Sequence, residues 1–180
     1  MSSADSVAAD ERLRLFLALR LPDPWPDEIA AWQAAAFARA QRIRLVQREH
    51  LHVTLVFLGS RPAAELPAIV ARLRDAAGAA GAIRLEPDAY RETRSAAMLV
   101  FRDLDGAGGA FADALGRDED RPWLPHVTVA RYRERPRLQE EFPGTLRTHV
   151  LVPSDAAAYL SRLRPSGAEY DVLESIRLGG

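Results

Sequence analysis

Cysteine and lysine are both missing from this chain. Without a thiol there is no disulfide framework, no thiolate metal site and no cysteine nucleophile, so a cytosolic (cytoplasmic) protein is the plain expectation. Without lysine, all 24 basic residues are arginines. The heavy use of alanine beside them points to a GC-rich genome as readily as to phosphate chemistry. Net charge is scarce too: 24 basic residues against 25 acidic ones leave −1. That balance argues against a protein that grips long nucleic acid by charge alone. No stretch reaches the roughly 20 apolar residues that span a bilayer, so no membrane partner is expected. Residues 1–10 are small, polar and acidic, with neither the basic stretch nor the apolar run of a secretion signal. A disordered start over 1–11 and one domain over 12–178 are the resulting expectations, the length of 180 residues suiting one compact unit or two lobes sharing a core.

Leu13, Leu15, Leu17, Leu19 and Leu21 alternate with Arg14, Phe16, Ala18 and Arg20, which predicts a strand. A helix follows over 27–39 with Ile29, Trp32 and Phe37 inward, and strands are expected over 43–46 and 51–58, the second stopped by Gly59. An alanine-rich helix over 65–79, strands over 83–85 and 97–101, and a short helix over 105–115 come next. Strands over 124–132, 148–152, 157–163 and 169–173 complete the chain, with a turn at Pro165-Ser166-Gly167. The glycine fingerprint of a doubly wound nucleotide-binding fold is absent, so an α+β protein with mostly antiparallel sheets fits better.

Two tetrapeptides stand 74 residues apart in this frame: His52-Val53-Thr54-Leu55 and His126-Val127-Thr128-Val129. With four histidines and five threonines in the chain, random placement predicts only about 0.1 His-x-Thr triplets. A single such motif is ordinarily surface decoration on a strand; a pair sharing even the central valine is not. On a strand, His and Thr two apart share one face while the valine and its neighbour point to the core. Two such strands facing each other make a phosphate-sized cage with two imidazoles and two hydroxyls. One imidazole can take a proton from water as the other gives one to a leaving oxygen, and the threonines can donate to the non-bridging oxygens.

Phe57 and Arg131 each stand five residues after a motif histidine. An arginine there could hold a phosphate oxygen and a phenylalanine could offer a flat face to a base. Strict alternation sends both to the core face, so reaching the cage requires a bulge, a strong twist or a strand end. His50 with His52 and His126 forms a competing zinc triad, weakened by the lack of a nearby carboxylate. Trp25, Trp32 and Trp123 read as core, with Trp123 also placed to wall the pocket, and His149 has no partner pattern.

These residues resemble the 2H phosphoesterases, and within them the bacterial and archaeal RNA 2′,3′-cyclic phosphodiesterases, also called 2′–5′ RNA ligase-like proteins. The likeness covers 12–178 and rests on the runs 12–19, 45–59 and 121–131, with Leu160-Ser161-Arg162-Leu163, Gly167 and Tyr170 near the end. It implies a two-lobed α+β fold of pseudo-twofold symmetry with the active cleft between lobes, acting as a monomer without metal or other cofactor. It also implies His52 as general acid and His126 as general base, with Thr54, Thr128 and Arg131 on the phosphate and Phe57 beside the nucleotide. The implied reaction opens the 2′,3′-cyclic phosphate of an RNA 3′ end, or of a nucleoside, to a 2′-phosphate, 2′–5′ ligation being its reverse. A non-catalytic RNA- or nucleotide-binding module of the same fold is the rival reading. Two stretches depart from the family pattern: Tyr90-Arg91-Glu92-Thr93-Arg94, where a following tryptophan is missing, and a shortened helix between Asp105 and Asp120.

Overall fold

The computed structural model describes residues 11–179 apart from Gln139 and Ser166. The expected disordered start therefore lies outside the described residues but for Glu11, as does part of the expected 165–167 turn. Along the described chain run β1 (Arg12–Arg20), α1 (Trp25–Ala36), β2 (Ile43–Leu45), β3 (His52–Pro62), α2 (Leu66–Ala79), β4 (Leu85–Glu92), β5 (Ala96–Asp103), α3 (Ala107–Ala114), β6 (His126–Tyr132), β7 (Asp155–Arg164) and β8 (Gly167–Arg177). The strands form one sheet in the order β4-β5-β6-β3-β1-β7-β8, with β2 also on β6. Every ladder is antiparallel, as the interleaved pattern predicts.

The sheet is thinnest in its middle. β3 and β6 share the single register pair Val53↔Val127, so one half (β3, β1, β7, β8) meets the other (β6, β5, β4, β2) at one seam. Both halves bury a common core on one face, where Leu19, Ile29, Val53, Leu73, Leu99, Val127 and Val129 are fully enclosed. On the opposite face of β1 and β7 lies a second, small cluster of Phe16, Ala18, Ala157 and Tyr159. Leu15 through Leu19 are consequently buried on both sides of the sheet.

Three expectations need correction. The strand placed at 83–85 is instead β4, beginning at Leu85 and running through Tyr90, Arg91 and Glu92. Its proline and charges hide it in the sequence, and both are tolerated because β4 is an edge strand. The strand expected over 148–152 reduces to one bridge, Leu151 with Leu85. Gly59 does not end β3: it adopts φ +70° opposite Leu15, where a bulge at Leu58 needs that left-handed backbone, and the strand continues to Pro62.

Candidate active site

The seam carries both motifs. Antiparallel counting from Val53↔Val127 sets His52 across from Thr128 and Thr54 across from His126. The two histidines are then diagonal neighbours, whose backbones stand roughly 7–8 Å apart in such a ladder. All four polar side chains are half-buried, whereas Val53, Leu55, Val127 and Val129 behind them are at most 2% exposed. Alternation alone predicts this division, and it holds through the first four residues of each motif.

Beyond those four residues, both strands slip in the same way. Against β1, Ala18 pairs with Thr54 and Leu17 with Val56, leaving Leu55 as an extra residue. Against β5, Met98 pairs with Thr128 and Ala97 with Ala130, leaving Val129 as an extra residue. A bulge thus falls three residues after each histidine and reverses the alternation, so position five returns to the histidine face. Phe57 and Arg131 both emerge there. Phe57 is 68% exposed, which corrects its placement in the core, and its ring lies 6.0 Å from that of Phe16. Arg131 is exposed and its charge is felt at the His52 ring. Along the seam the order is Phe57, the Thr54/His126 pair, the His52/Thr128 pair, then Arg131.

The rings are oriented by one device used twice. His52 Nδ1 lies 2.7 Å from the His50 carbonyl and His126 Nδ1 lies 2.9 Å from the Leu124 carbonyl, in each case two residues back. A carbonyl only accepts, so Nδ1 carries the proton in both rings and Nε2 is left for chemistry. The surroundings then differ. Phe16, Tyr170 and Tyr159 pack around His52 at ring-centroid distances of 4.9, 5.4 and 5.6 Å. Burial in this nest lowers the His52 pKa to about 4, with the nearby His126, Arg131 and His50 charges pushing the same way against the His50 carbonyl. His52 is therefore neutral in the empty site at neutral pH.

Two residues hold the arrangement, Trp123 and Gln33, and only Gln33 is one that the sequence does not single out. Trp123 donates its Nε1–H to the Thr54 carbonyl at 3.0 Å, fastening the approach to the second motif onto the backbone of the first. Its ring lies over Gly108 of α3, where a Cβ would come within 2.3 Å of it. Trp123 is thus only partly buried, unlike Trp25, and walls the seam as its position suggests. Gln33 of α1 is 2% exposed and donates to the carbonyls of Val129 (2.5 Å) and Val46 (3.1 Å). Val129 is the bulged residue; its carbonyl also accepts from the Val46 N–H at 2.9 Å, so Gln33 is a second donor that ties it to the Val46 carbonyl. Replacing Gln33 with leucine should cost about 1–3 kcal/mol in urea unfolding, because the Val46 carbonyl loses the donor it takes from Gln33 and the Val129 carbonyl keeps only the Val46 N–H. Activity should fall further than stability explains, since Arg131 depends on that bulge; an unchanged kcat/KM would remove the link.

His50 faces Tyr170 at 5.3 Å. Among the described residues no three His, Cys, Asp or Glu side chains converge to hold a metal ion, so the His50/His52/His126 triad is not formed. His149 is exposed, with Nδ1 3.0 Å from the Thr145 carbonyl. A cavity of about 150 Å³ opens beside the seam, lined by Arg44, Val46, His50, Arg131 and Tyr170 among others.

Comparison with known proteins agrees with this geometry. Residues 19–87 match the family model described as LigT like Phosphoesterase. A Thermus thermophilus protein named RNA 2′,3′-cyclic phosphodiesterase is 30% identical over 93% of this chain and 91% of its own length. A Methanocaldococcus jannaschii protein of the same name is 23% identical over 90% of this chain and 99% of its own. Among solved structures, one from Thermus thermophilus superposes with a TM-score of 0.77 at 27% identity, covering 93% of this chain and 99% of that one. E. coli LigT complexed with 3′-AMP gives a TM-score of 0.76 at 26% identity, covering 94% and 100%. The fold, the paired motifs and a relative of this identity over nearly the whole length together place the chain in the LigT-like phosphoesterase family.

Proposed function

We propose that the protein is an RNA 2′,3′-cyclic phosphodiesterase that leaves a 2′-phosphate. The observation that carries the reading is the pair of His/Thr couples facing one gap, each imidazole held with Nε2 free. Water attacks the phosphorus as His126 Nε2 takes its proton. The P–O3′ bond breaks and His52 Nε2–H protonates the departing O3′, so the phosphate remains on O2′. Thr54 and Thr128 donate to the non-bridging oxygens, Arg131 pairs with their charge, and Phe57 lies beside the base. The relatives' shared name and the 3′-AMP complex of E. coli LigT support this substrate class. With an RNA 5′-hydroxyl in the place of water, the same forward steps form a 2′–5′ linkage, the 5′-hydroxyl proton passing to His126 and the departing O3′ taking its proton from His52.

The aromatic nest works against a charged His52, so the ring must take up its acidic proton as the phosphate anion enters. This has a signature in pH. The productive enzyme carries one proton on the coupled pair, so kcat/KM should be bell-shaped with its acid limb near the free-enzyme value of about 4. In the complex the bound anion raises the His52 pKa, so the acid limb of kcat should lie at higher pH than that of kcat/KM. Coincident limbs would remove the proton-uptake step.

The direct test is a short RNA ending in a 2′,3′-cyclic phosphate, incubated in excess chelator, with the 2′- and 3′-phosphate products resolved. The expected product is the 2′-phosphate at an undiminished rate. Activity lost to chelator and restored by zinc would favour a metallohydrolase, and tight binding without turnover would favour the binding module.

A further inference from the structure

The distal part of the β7–β8 hairpin stands apart from the rest of the sheet. β7 leaves β1 after Leu160, whose partner is Leu15, while the β7–β8 ladder runs on from Ser161↔Tyr170 to Arg164↔Gly167. A two-stranded ribbon is marginal by itself. Two cross-strand ion pairs brace this one, Arg162–Asp171 at 2.9 Å and Arg164–Glu169 at 3.2 Å. The arm bends over the cage face and reaches the other half of the sheet: a Cβ on Gly167, whose φ is +130°, would come within 2.1 Å of Arg44 Nη1 on β2.

This arm delivers Tyr170 to the His52 side of the cage. The Tyr170 ring stands edge-on to three others, Phe16 at 5.1 Å, His50 at 5.3 Å and His52 at 5.4 Å, with interplanar angles of 77°, 67° and 87°. His50 and His52 form a unit, since the His50 carbonyl accepts from His52 Nδ1–H at 2.7 Å. The single helical turn Arg48–His50 is pinned at its start by Arg48, which pairs with Asp27 and Asp23. At its end His50 is half-buried, and Tyr170 is the one ring packed on it among the described residues. His126 uses the same carbonyl device with no ring over it among the described residues, so the clamp belongs to His52 alone.

We infer that Tyr170 is a positioning residue for the general acid: by packing on His50 and His52 at once it keeps the carbonyl-to-imidazole bond aligned, so that His52 Nε2 stays aimed at the departing oxygen. The inference rests on the cyclic phosphodiesterase reading above and adds what holds its acid in place. An edge-to-face ring fixes both the tilt and the position of its neighbour, and a displaced acid loses rate steeply. The same ring helps to keep water from His52, whose burial lowers its pKa to about 4. The charged or titratable groups facing the His52 ring are His50 from its own segment, Arg20 from β1, His126 and Arg131 from β6, Tyr159 from β7 and Tyr170 from β8. Replacing Tyr170 leaves the charges of His126, Arg131 and His50 in place, so a change at His52 reports the packing.

The test sets Tyr170→Phe, which keeps the ring, beside Tyr170→Leu, which fills the place with an apolar side chain but no flat face. Both variants are read by nitrogen NMR of the histidines in the free protein and by pH profiles on a short RNA ending in a 2′,3′-cyclic phosphate. Tyr170→Phe should match the wild type in every readout. In Tyr170→Leu, His52 should lose its single Nδ1–H tautomer and titrate above the wild-type value of about 4, with the acid limb of kcat/KM rising alongside. Its kcat should fall by about 10–100-fold with KM little changed. A leucine variant whose His52 keeps its tautomer and its titration would overturn the inference even where activity falls, since that loss would be structural. So would a phenylalanine variant that behaves like the leucine one, because the hydroxyl and not the ring would then do the positioning. No turnover by the wild-type enzyme would instead count against the phosphodiesterase reading, and the NMR readout, which needs no substrate, keeps the two failures apart.

Discussion

Replacing either motif histidine with alanine is expected to lower kcat/KM on the order of 10²–10⁴-fold, the span of a lost general acid or base. The two losses should not multiply, because the rings act on one phosphorus within one proton cycle and removing either already disables the cycle. His52→Ala and His126→Ala should nonetheless differ in stability. His52 fills a nest of Phe16, Tyr159 and Tyr170, so its removal opens a cavity among three rings. Among the described residues no aromatic ring packs on His126, so its variant should unfold close to wild type. Steady-state kinetics beside thermal melts separate the two contributions. Retention of more than a tenth of the activity in either variant would mean that this ring is not an acid or base of the reaction.

Glu92→Ala is expected to destabilise the protein by about 2–4 kcal/mol, the cost of stripping several donors of a shared, enclosed carboxylate. The Glu92 side chain is 2% exposed and accepts from Tyr90 Oη–H (2.9 Å), Arg135 Nε–H (3.0 Å) and the backbone N–H groups of Arg137 (3.0 Å) and Leu138 (2.8 Å). Burial and this carboxylate together push the Tyr90 hydroxyl pKa far up, so it remains a donor. The carboxylate thereby fastens the segment after β6 to β4 and allows Arg137 its φ of +56°. For a chain of this length each kcal/mol moves Tm by roughly 2–4 °C, so the melt should fall by about 4–16 °C. Glu92→Gln, which keeps the shape but presents donors to donors, should lose a smaller part. An alanine variant that melts with wild type would show that the segment is held some other way. The stretch 90–94, which departs from the family pattern, is on this account a structural anchor: Thr93 adds to it, accepting from Tyr132 Oη–H with its carbonyl and capping Ser95 and Ala96 with its hydroxyl.

The cage was legible in the sequence because its design is local. His, Val and Thr in alternation state their own faces, and two copies state their partnership. The α+β class and the antiparallel ladders were legible for the same reason. Phe57 and Arg131 were not, because a bulge is a relation between two strands. Leu55 and Val129 are ordinary strand residues, and only the register of β1 against β3 and of β5 against β6 makes each one supernumerary. Gln33 escaped because a helical glutamine reads as solvent-facing until the carbonyls it must satisfy are known. β4 escaped because Pro87, Asp88 and Arg91 carry no strand signal, and the run 148–152 misled because apolar residues need a neighbouring strand to pair with. The two halves also repeat one register, since Ala18 stands to Thr54 as Met98 stands to Thr128.

Because the two bulges fall at the same step, each side of the cage offers one imidazole and one hydroxyl in the same arrangement. Direction enters through what surrounds that frame: the aromatic nest behind His52, which has no counterpart at His126 among the described residues, and the rims, where one half ends in the flat apolar face of Phe57 and the other in the cation of Arg131. The frame that holds the phosphate is therefore symmetric, and the sense in which a strand is threaded through it is set by residues outside the two motifs.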